Sequence, residues 1–288
     1  MRTTAHVRLP GADATLEVSA STTVGQVRLV NEDSFVAEYP VFAVADGMGG
    51  HERGDLASQT AASVLRERLA TGATLTAAGV LAAIEAANAA VHELSATFGD
   101  DALSGTTVSG IALVSTDDGR SSHWMAFNIG DSRVYTWNGR HLVQLTVDHS
   151  AVQELVDAGL LSEDEAREHP DRNVITRALG AAAAVEADVW LLPTQSTHSF
   201  LICSDGLTKE LADEEIATLL SSVVPGMDDD DDGPAGALVR AATDAGGRDN
   251  VTAVIVTLQM ETAASDGDGT HTRGRLAESL LEDTTPRA

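Results

Sequence analysis

Val41-Phe42-Ala43-Val44-Ala45-Asp46-Gly47 runs from five apolar residues straight into a carboxylate and a glycine. The apolar run reads as a strand that delivers Asp46 to its end. Glycine after the aspartate lets the backbone turn sharply and offers its carbonyl as a ligand. The arrangement recurs along the chain. Phe200-Leu201-Ile202-Cys203 leads to Asp205-Gly206, Asp249-Asn250 opens an apolar run from Val251, and Asn31-Glu32-Asp33 lies at another strand end. A single Asp-Gly is most often a plain turn, so the reading rests on the combination. Carboxylates at the ends of neighbouring strands can converge on one point while the strands stay in the core. Packed together they raise one another's pKa by like-charge repulsion, which divalent cations relieve. Hard oxygen donors of this kind suit Mg²⁺ or Mn²⁺ rather than zinc.

Outward from this run, residues 15–38 are rich in Val and Thr and predict a strand that turns near Tyr39-Pro40 into the next. Residues 47–54 form a glycine-rich loop that lacks the Gly-Lys-Ser/Thr of a P-loop. Helical spacing predicts helices over 56–69 and 75–94, followed by strands at 106–114 and 124–129. Asn138-Gly139 between two short β-prone runs predicts a type I′ hairpin. A helix-rich insert spans 149–178, with Ser162 and Glu165 spaced as a capping box. Strands return at 189–192 and 200–203, helices after Asp213 and at 235–244, and a last strand at 251–258. Strands and helix pairs come in separate blocks, which predicts an α+β fold with antiparallel sheets. The acidic run 228–232 lacks the spaced ligands of a calcium loop and reads as a solvated surface loop. One domain over 1–260 is expected. Residues 261–288 are polar and read as a disordered tail with a short helix at 276–281.

The 288-residue chain is 43% hydrophobic and 3% aromatic, so aliphatic side chains must build a sizeable core. Its formal charge of −26 repels nucleic-acid phosphates and anionic membranes, so neither is expected as a partner. An enzyme this acidic that acts on phosphate must import positive charge, and bound metal is the usual source. Cys203 is the only cysteine, which excludes an internal disulfide and fits a reducing compartment. The first residues lack a signal-peptide apolar run, and no apolar stretch approaches the roughly 20 residues that span a bilayer. A cytoplasmic location is expected.

An ordered series of motifs makes a resemblance specific. Arg28-Leu29-Val30-Asn31-Glu32-Asp33 and Asp46-Gly47-Met48-Gly49-Gly50-His51 resemble the bacterial branch of the PP2C-type (PPM) protein phosphatases. So, in the same order, do Gly105-Thr106-Thr107, Gly130-Asp131-Ser132-Arg133, Leu145-Thr146-Val147-Asp148-His149-Ser150 and His169-Pro170-Asp171-Arg172-Asn173. Arg177-Ala178-Leu179-Gly180, Ser204-Asp205-Gly206-Leu207 and Arg248-Asp249-Asn250-Val251-Thr252 complete the series, which covers about residues 16–260. The resemblance implies two antiparallel sheets packed face to face as a sandwich, flanked by antiparallel helix pairs on both sides (α/β/β/α). It implies hydrolysis of phosphoserine and phosphothreonine by water activated between two Mn²⁺ or Mg²⁺ ions. Asp46 would bridge both, Gly47 would bind one through its carbonyl, and Asp205 and Asp249 would complete the other's shell. Glu32 would reach a metal through water, and Asp33 would orient waters there. These two neighbours point to opposite faces of a regular strand, so both serve the site only if the strand ends or bends between them. Arg28, four residues before Glu32 and read on the same strand face, would bind two phosphate oxygens side by side. A third, weaker metal site would use Asp131, Asp205 and a backbone group of Asn173, although Asp131 could equally form a turn pair with Arg133.

Two positions depart from the family. Thr23 stands where bacterial relatives often have an aspartate, and Met48 stands where the animal branch carries a histidine proposed as general acid. A cysteine phosphatase is excluded, because Cys203 is followed at the Cys-x5-Arg spacing by Lys209; Cys203 reads as a buried strand residue. His51, His123, His149 and His169 read as structural or supporting. The expected partners are phosphorylated proteins, including serine/threonine kinases and their substrates, met by a monomer. The insert 149–178 would form a flap that sets selectivity. The alternatives are a phosphatase for a small phosphoester or for a regulatory phosphoprotein of a sigma-factor cascade, and an inert phosphatase-like binding domain.

Overall fold

Two strands from opposite ends of the chain, residues 12–23 and 251–260, pair antiparallel in the middle of one sheet. The computed structural model describes residues 1–49, 53–72, 74–97, 104–116, 119–194, 198–222 and 232–261. The expectations for Gly50 and His51, for 228–231 of the acidic run and for the tail beyond 261 fall outside the described residues. In chain order the strands are β1 (Arg2–Leu9), β2 (Ala12–Thr23), β3 (Asp33–Glu38), β4 (Val41–Gly49), β5 (Ser104–Thr106), β6 (Val108–Ser115), β7 (Ser122–Ile129), β8 (Arg133–Trp137), β9 (Leu142–Gln144), β10 (Asp188–Pro193), β11 (His198–Cys203) and β12 (Val251–Met260). The helices are α1 (Gly54–Leu69), α2 (Ala77–Ala96), α3 (Ala151–Asp157), α4 (Glu163–Glu168), α5 (Asp205–Thr208), α6 (Asp213–Ser222) and α7 (Gly233–Ala245).

One sheet runs β1-β2-β12-β11-β8-β9, the other β10-β7-β6-β4-β3 with β5 beside β4. The strand pairings within both are antiparallel. The alternation in β4 shows how the layers form. Phe42 and Val44 pack into the core between the sheets with Phe200, Ile202, Val254 and Val256. Val41 and Ala43 point the other way, into a second core with Ala61, Leu65 and Ile84 of α1 and α2. A strand buried on both faces has to be apolar throughout, which explains the unbroken run 41–45. On the far side, Leu201, Cys203, Ala253 and Ile255 pack against Ile216 of α6 and Leu238 and Val239 of α7. The four layers are therefore helix pair, sheet, sheet, helix pair, as the family resemblance implies. The few aromatics concentrate between the sheets, where Trp124 and Phe200 meet edge to face at 5.4 Å.

Local chemistry sets the helix starts. Thr76 accepts the Gly79 N–H at 3.1 Å to open α2, and Ser162 and Glu165 form the expected capping box on α4. Three expectations change. Residues 24–32 are a loop, so Arg28 and Glu32 do not share a strand face. The hairpin joins β8 and β9, but Trp137 pairs with Leu142, so the connection is longer than a two-residue turn. Asn138 Oδ1 closes it by accepting the Arg140 and His141 N–H groups. The strand expected over 106–114 is broken at Thr107. Two elements, β1 and the one-turn α5, were not anticipated by the sequence pattern.

Candidate metal centre

The carboxylates gather where strands of both sheets end. Asp33 opens β3 and sits in register opposite Asp46 of β4. Asp205 opens α5 just past Ser204, where β11 has ended, and Asp249 stands two residues before β12. Glu32 lies just before β3, so the strand does end between Glu32 and Asp33, as their joint use requires. The break at Thr107 fixes Asp46. Thr107 donates its N–H to the Asp46 carbonyl and accepts the Asp46 N–H on Oγ1, both at 2.9 Å. Thr106 Oγ1 adds a third bond to the same carbonyl.

Asn250 holds the loop that carries Arg28 and Glu32. Its Oδ1 accepts the Glu32 N–H at 2.8 Å, and its Nδ2 donates to the carbonyls of Val24 and Val30. The Glu32 carbonyl in turn accepts from Gly47 N–H and Ser58 Oγ. This crossing leaves no room for side chains. A Cβ on Gly47 would overlap the Gly54 carbonyl oxygen, and one on Gly206 would overlap that of Asn250. The glycines after Asp46 and Asp205 are therefore required by close approach of backbone rather than by a left-handed turn.

The charges are held against their own preference. Asp33 and Asp131 are buried, and Asp46 and Asp205 keep partial contact with solvent. Burial raises the Asp33 carboxyl to about 7, partly offset by Ser204 Oγ and Thr252 Oγ1 donating to its Oδ2. Burial and then the charge of Asp205 raise Asp131 to about 8. Asp46 is pushed well above the carboxylate range by burial and then by Asp33, Asp205 and Asp131. Asp205 is raised by burial, with Lys209 pulling it back. Glu32 is raised by burial, against the pull of Arg28.

Two basic side chains reach into the cluster. Arg28 pairs side-on with Asp249, Nε to Oδ1 at 2.9 Å and Nη2 to Oδ2 at 3.0 Å. Lys209 pairs with Asp205 and stands 3.5 Å from Asp249 Oδ2.

Three carboxylate oxygens, Asp33 Oδ1, Asp131 Oδ1 and Asp205 Oδ1, are buried without a hydrogen-bond partner among the described residues. A buried acceptor without a partner costs on the order of 1–3 kcal/mol, more when charged. Oxygen donors in this state, with raised carboxyl pKa values, fit hard divalent cations. Among the described residues no three His, Cys, Asp or Glu side chains already close around one metal-sized point. The fit thus rests on the unpartnered oxygens and the crowding of like charge.

The structure brings Arg28, Glu32, Asp33, Asp46, Gly47, Asp205 and Asp249 together, with Asp131 beside Asp205. Asn173 is exposed on the insert after α4 and makes no side-chain hydrogen bond to the described residues. Arg133 does not pair with Asp131; it takes Asp148 bidentately at 2.7–3.0 Å and donates to Tyr135 Oη. His149 ties the insert to the Asp131 turn: its Nδ1 accepts the Gly130 N–H, and its Nε2 meets Asp188. Cys203 is buried, and burial pushes its thiol far up, which fits a structural residue. Ser204, Asn250 and Thr252 stand in the motifs but gain a role only from these contacts. Lys209, noted in the sequence only for its distance from Cys203, gains its place in the site here, although its spacing of four from Asp205 on a helical turn is a readable ion-pair signal.

Comparison with known proteins agrees with this geometry. Residues 25–234 match the family described as protein phosphatase 2C. The serine/threonine phosphatase stp of Listeria welshimeri is 34% identical over 238 residues, spanning 81% of this chain and 92% of that protein. Protein phosphatase PhpP of Streptococcus pneumoniae is 34% identical over 260 residues, 86% of this chain and all of that one. Among solved structures, the Mycobacterium tuberculosis serine/threonine phosphatase PstP/Ppp superposes with a TM-score of 0.74 at 35% identity, covering 85% of this chain and 99% of that one. The catalytic domain of the phosphatase PstP in complex with two manganese ions gives a TM-score of 0.73 at 32% identity, covering 85% and 98%. A match of this length, to relatives covered nearly end to end, places the chain in the protein phosphatase 2C family.

Proposed function

We infer that this chain is a metal-dependent protein phosphatase acting on phosphoserine and phosphothreonine. The observation that carries the reading is the set of three unpartnered carboxylate oxygens on Asp33, Asp131 and Asp205, in a chain of the 2C family. The serine/threonine phosphatases among its relatives support the substrate class, and the two-manganese PstP structure supports the metal dependence.

Asp46 would be shared by two cations, with Glu32 and the Gly47 carbonyl serving one and Asp205 and Asp249 the other. Asp131 and Asn173 would serve a third, weaker site. Mn²⁺ or Mg²⁺ suit these oxygen donors. Bound there, such ions lower the pKa of water to near neutrality and offset charge on the phosphoryl group.

The protein's own residues do the positioning. Arg28 is half-exposed at the rim and already grips a carboxylate side-on, so it can grip two phosphate oxygens in the same way. Asp33 is locked by Ser204 and Thr252 at Oδ2, which leaves Oδ1 to hold a water. Met48 cannot donate a proton, so the serine leaving group takes its proton from water. The domain is residues 1–260, with the insert 149–178 as a flap that selects phosphoproteins, serine/threonine kinases and their substrates among them. Among the described residues no helix is long and apolar enough to cross a membrane; the single, buried cysteine supports work in a reducing compartment such as the cytoplasm.

The test is hydrolysis of a phosphothreonine peptide by EDTA-stripped protein with and without added Mn²⁺. Activity that appears only with the metal supports the reading. Full activity under chelation would overturn it.

A further inference from the structure

Lys209 is the only lysine in the 288-residue sequence; the other 17 of its 18 basic residues are arginines. That one ammonium sits in the carboxylate cluster. α5 begins at Asp205 and lasts one turn, and Lys209 caps its end, donating its N–H to the Asp205 carbonyl at 2.8 Å. The turn carries the side chain back over Asp205, where Nζ pairs with Oδ2 and lies 3.5 Å from Asp249 Oδ2. One monovalent cation thus spans the two carboxylates assigned above to one divalent ion. Arg28 grips Asp249 from the other side through both oxygens, so Lys209 shares Oδ2 with it, while Asp205 Oδ1 has no hydrogen-bond partner among the described residues.

The lysine can leave as well as stay. Its side chain is 37% exposed, so solvent lies beside it. An ammonium on a four-carbon stem is a compact charge that reorients freely, whereas a guanidinium forks rigidly onto its partner. A divalent ion brings twice the charge to the same two carboxylates and repels an ammonium within a few ångströms.

We propose that Lys209 is a built-in surrogate cation, which holds Asp205 and Asp249 together until a divalent ion binds and then swings out to solvent. Competition with the chain's own lysine therefore lowers cation affinity at this site. The proposal rests on the metal-dependent reading above and adds what tunes it.

The experiment is calorimetric titration of Mn²⁺ into EDTA-stripped full chain, as wild type, Lys209→Met and Lys209→Arg. Lys209→Met keeps the length and loses the charge, and should bind Mn²⁺ tighter by about tenfold or more. Stripped of metal, the same variant should melt below wild type, and the two should melt together when saturated. Lys209→Arg keeps the competitor and should bind no tighter than wild type. A second measurement needs no variant. ¹³Cε-labelled lysine gives a single side-chain signal in this chain, and saturating Mg²⁺ should move it to the position of a free lysine. Unchanged or weaker Mn²⁺ binding by Lys209→Met, or a signal that stays in place while Mg²⁺ saturates, overturns the proposal. Wild type that binds neither ion overturns both this and the metal-dependent reading, whereas wild type that binds while Lys209 stays put overturns the lysine's role alone.

Discussion

Asp33 and Asp46 stand directly opposite each other across the β3–β4 ladder. Like charges at such a pair destabilise a sheet, and burial adds to the cost. The fold therefore favours protons or cations here. The folded Asp33 titrates at about 7 against 3.8 for an ordinary aspartate, and Asp131 at about 8, burial being the largest cause for both. The stabilisation from protonating them is complete below the unfolded value and is lost as pH rises through the folded one. Protein stripped of metal should therefore lose thermal stability between about pH 5 and pH 8, and saturating Mn²⁺ should restore it. Melting curves across that range, with EDTA and with Mn²⁺, check this. A stripped protein whose melting temperature is flat or rises over the interval contradicts it.

Neutralising one carboxylate should separate stability from activity. Asp46→Asn, Asp205→Asn and Asp249→Asn each remove ligand charge, so each should cost orders of magnitude in kcat. Asp46→Asn also removes the repulsion with Asp33, so the stripped variant should melt above stripped wild type. Kinetics with Mn²⁺ and melting in EDTA give the two readouts. An inactive variant that is also less stable without metal would point to misfolding instead.

Asp131 should behave as an outlying ligand. Asp131→Ala should leave calorimetric binding of two Mn²⁺ ions intact and remove only a weaker third event. A variant that keeps the third ion in Mn²⁺-soaked crystals would refute the assignment.

Much of this site was legible because carboxylates at strand ends leave a local pattern. The run 41–45 is apolar throughout because β4 is covered on both faces, and its end marks Asp46. The 24–32 loop was not legible. Its Val24, Val27, Leu29 and Val30 suggest a strand, yet Leu29 is 97% exposed. What holds this loop is distant: Asn250 binds it at Val24, Val30 and Glu32, and the Gln26 N–H donates to the Gly247 carbonyl at 2.7 Å. No periodicity encodes contacts made by residues so far along the chain. β1 escaped for a related reason, since it is an edge strand that buries only Val7 and Leu9.

Backbone crowding at Gly47 gives a prediction free of charge effects. Gly47→Ala puts a methyl into overlap with the Gly54 carbonyl oxygen and 2.6 Å from that of Glu32. Neither is a flexible side chain, so the β4 end or the start of α1 must shift. A loss of about 1–3 kcal/mol in stability is expected, with Mn²⁺ affinity reduced as Glu32 and Asp46 separate. Chemical denaturation and calorimetry measure both, and wild-type values for both would show that the crossing can relax.

Arg28 separates substrate binding from metal binding. Its guanidinium is half-exposed and grips Asp249 through two hydrogen bonds. An exposed ion pair contributes only about 0–1 kcal/mol, so Arg28→Ala should barely change stability. Because Asp249 keeps its Asn250 N–H bond at 2.9 Å, its carboxylate should stay in place for a cation. Mn²⁺ affinity should then hold or rise modestly, since one of two cations has left Asp249, while KM for a phosphopeptide rises and kcat falls, since a bidentate grip on phosphate is lost. Arg28→Lys keeps the charge without the fork and should retain only part of the lost activity. Collapse of Mn²⁺ binding in Arg28→Ala would show instead that the arginine serves the metal site by positioning Asp249. Wild-type kinetics in Arg28→Lys would show that charge alone, rather than side-on geometry, is what the phosphate meets.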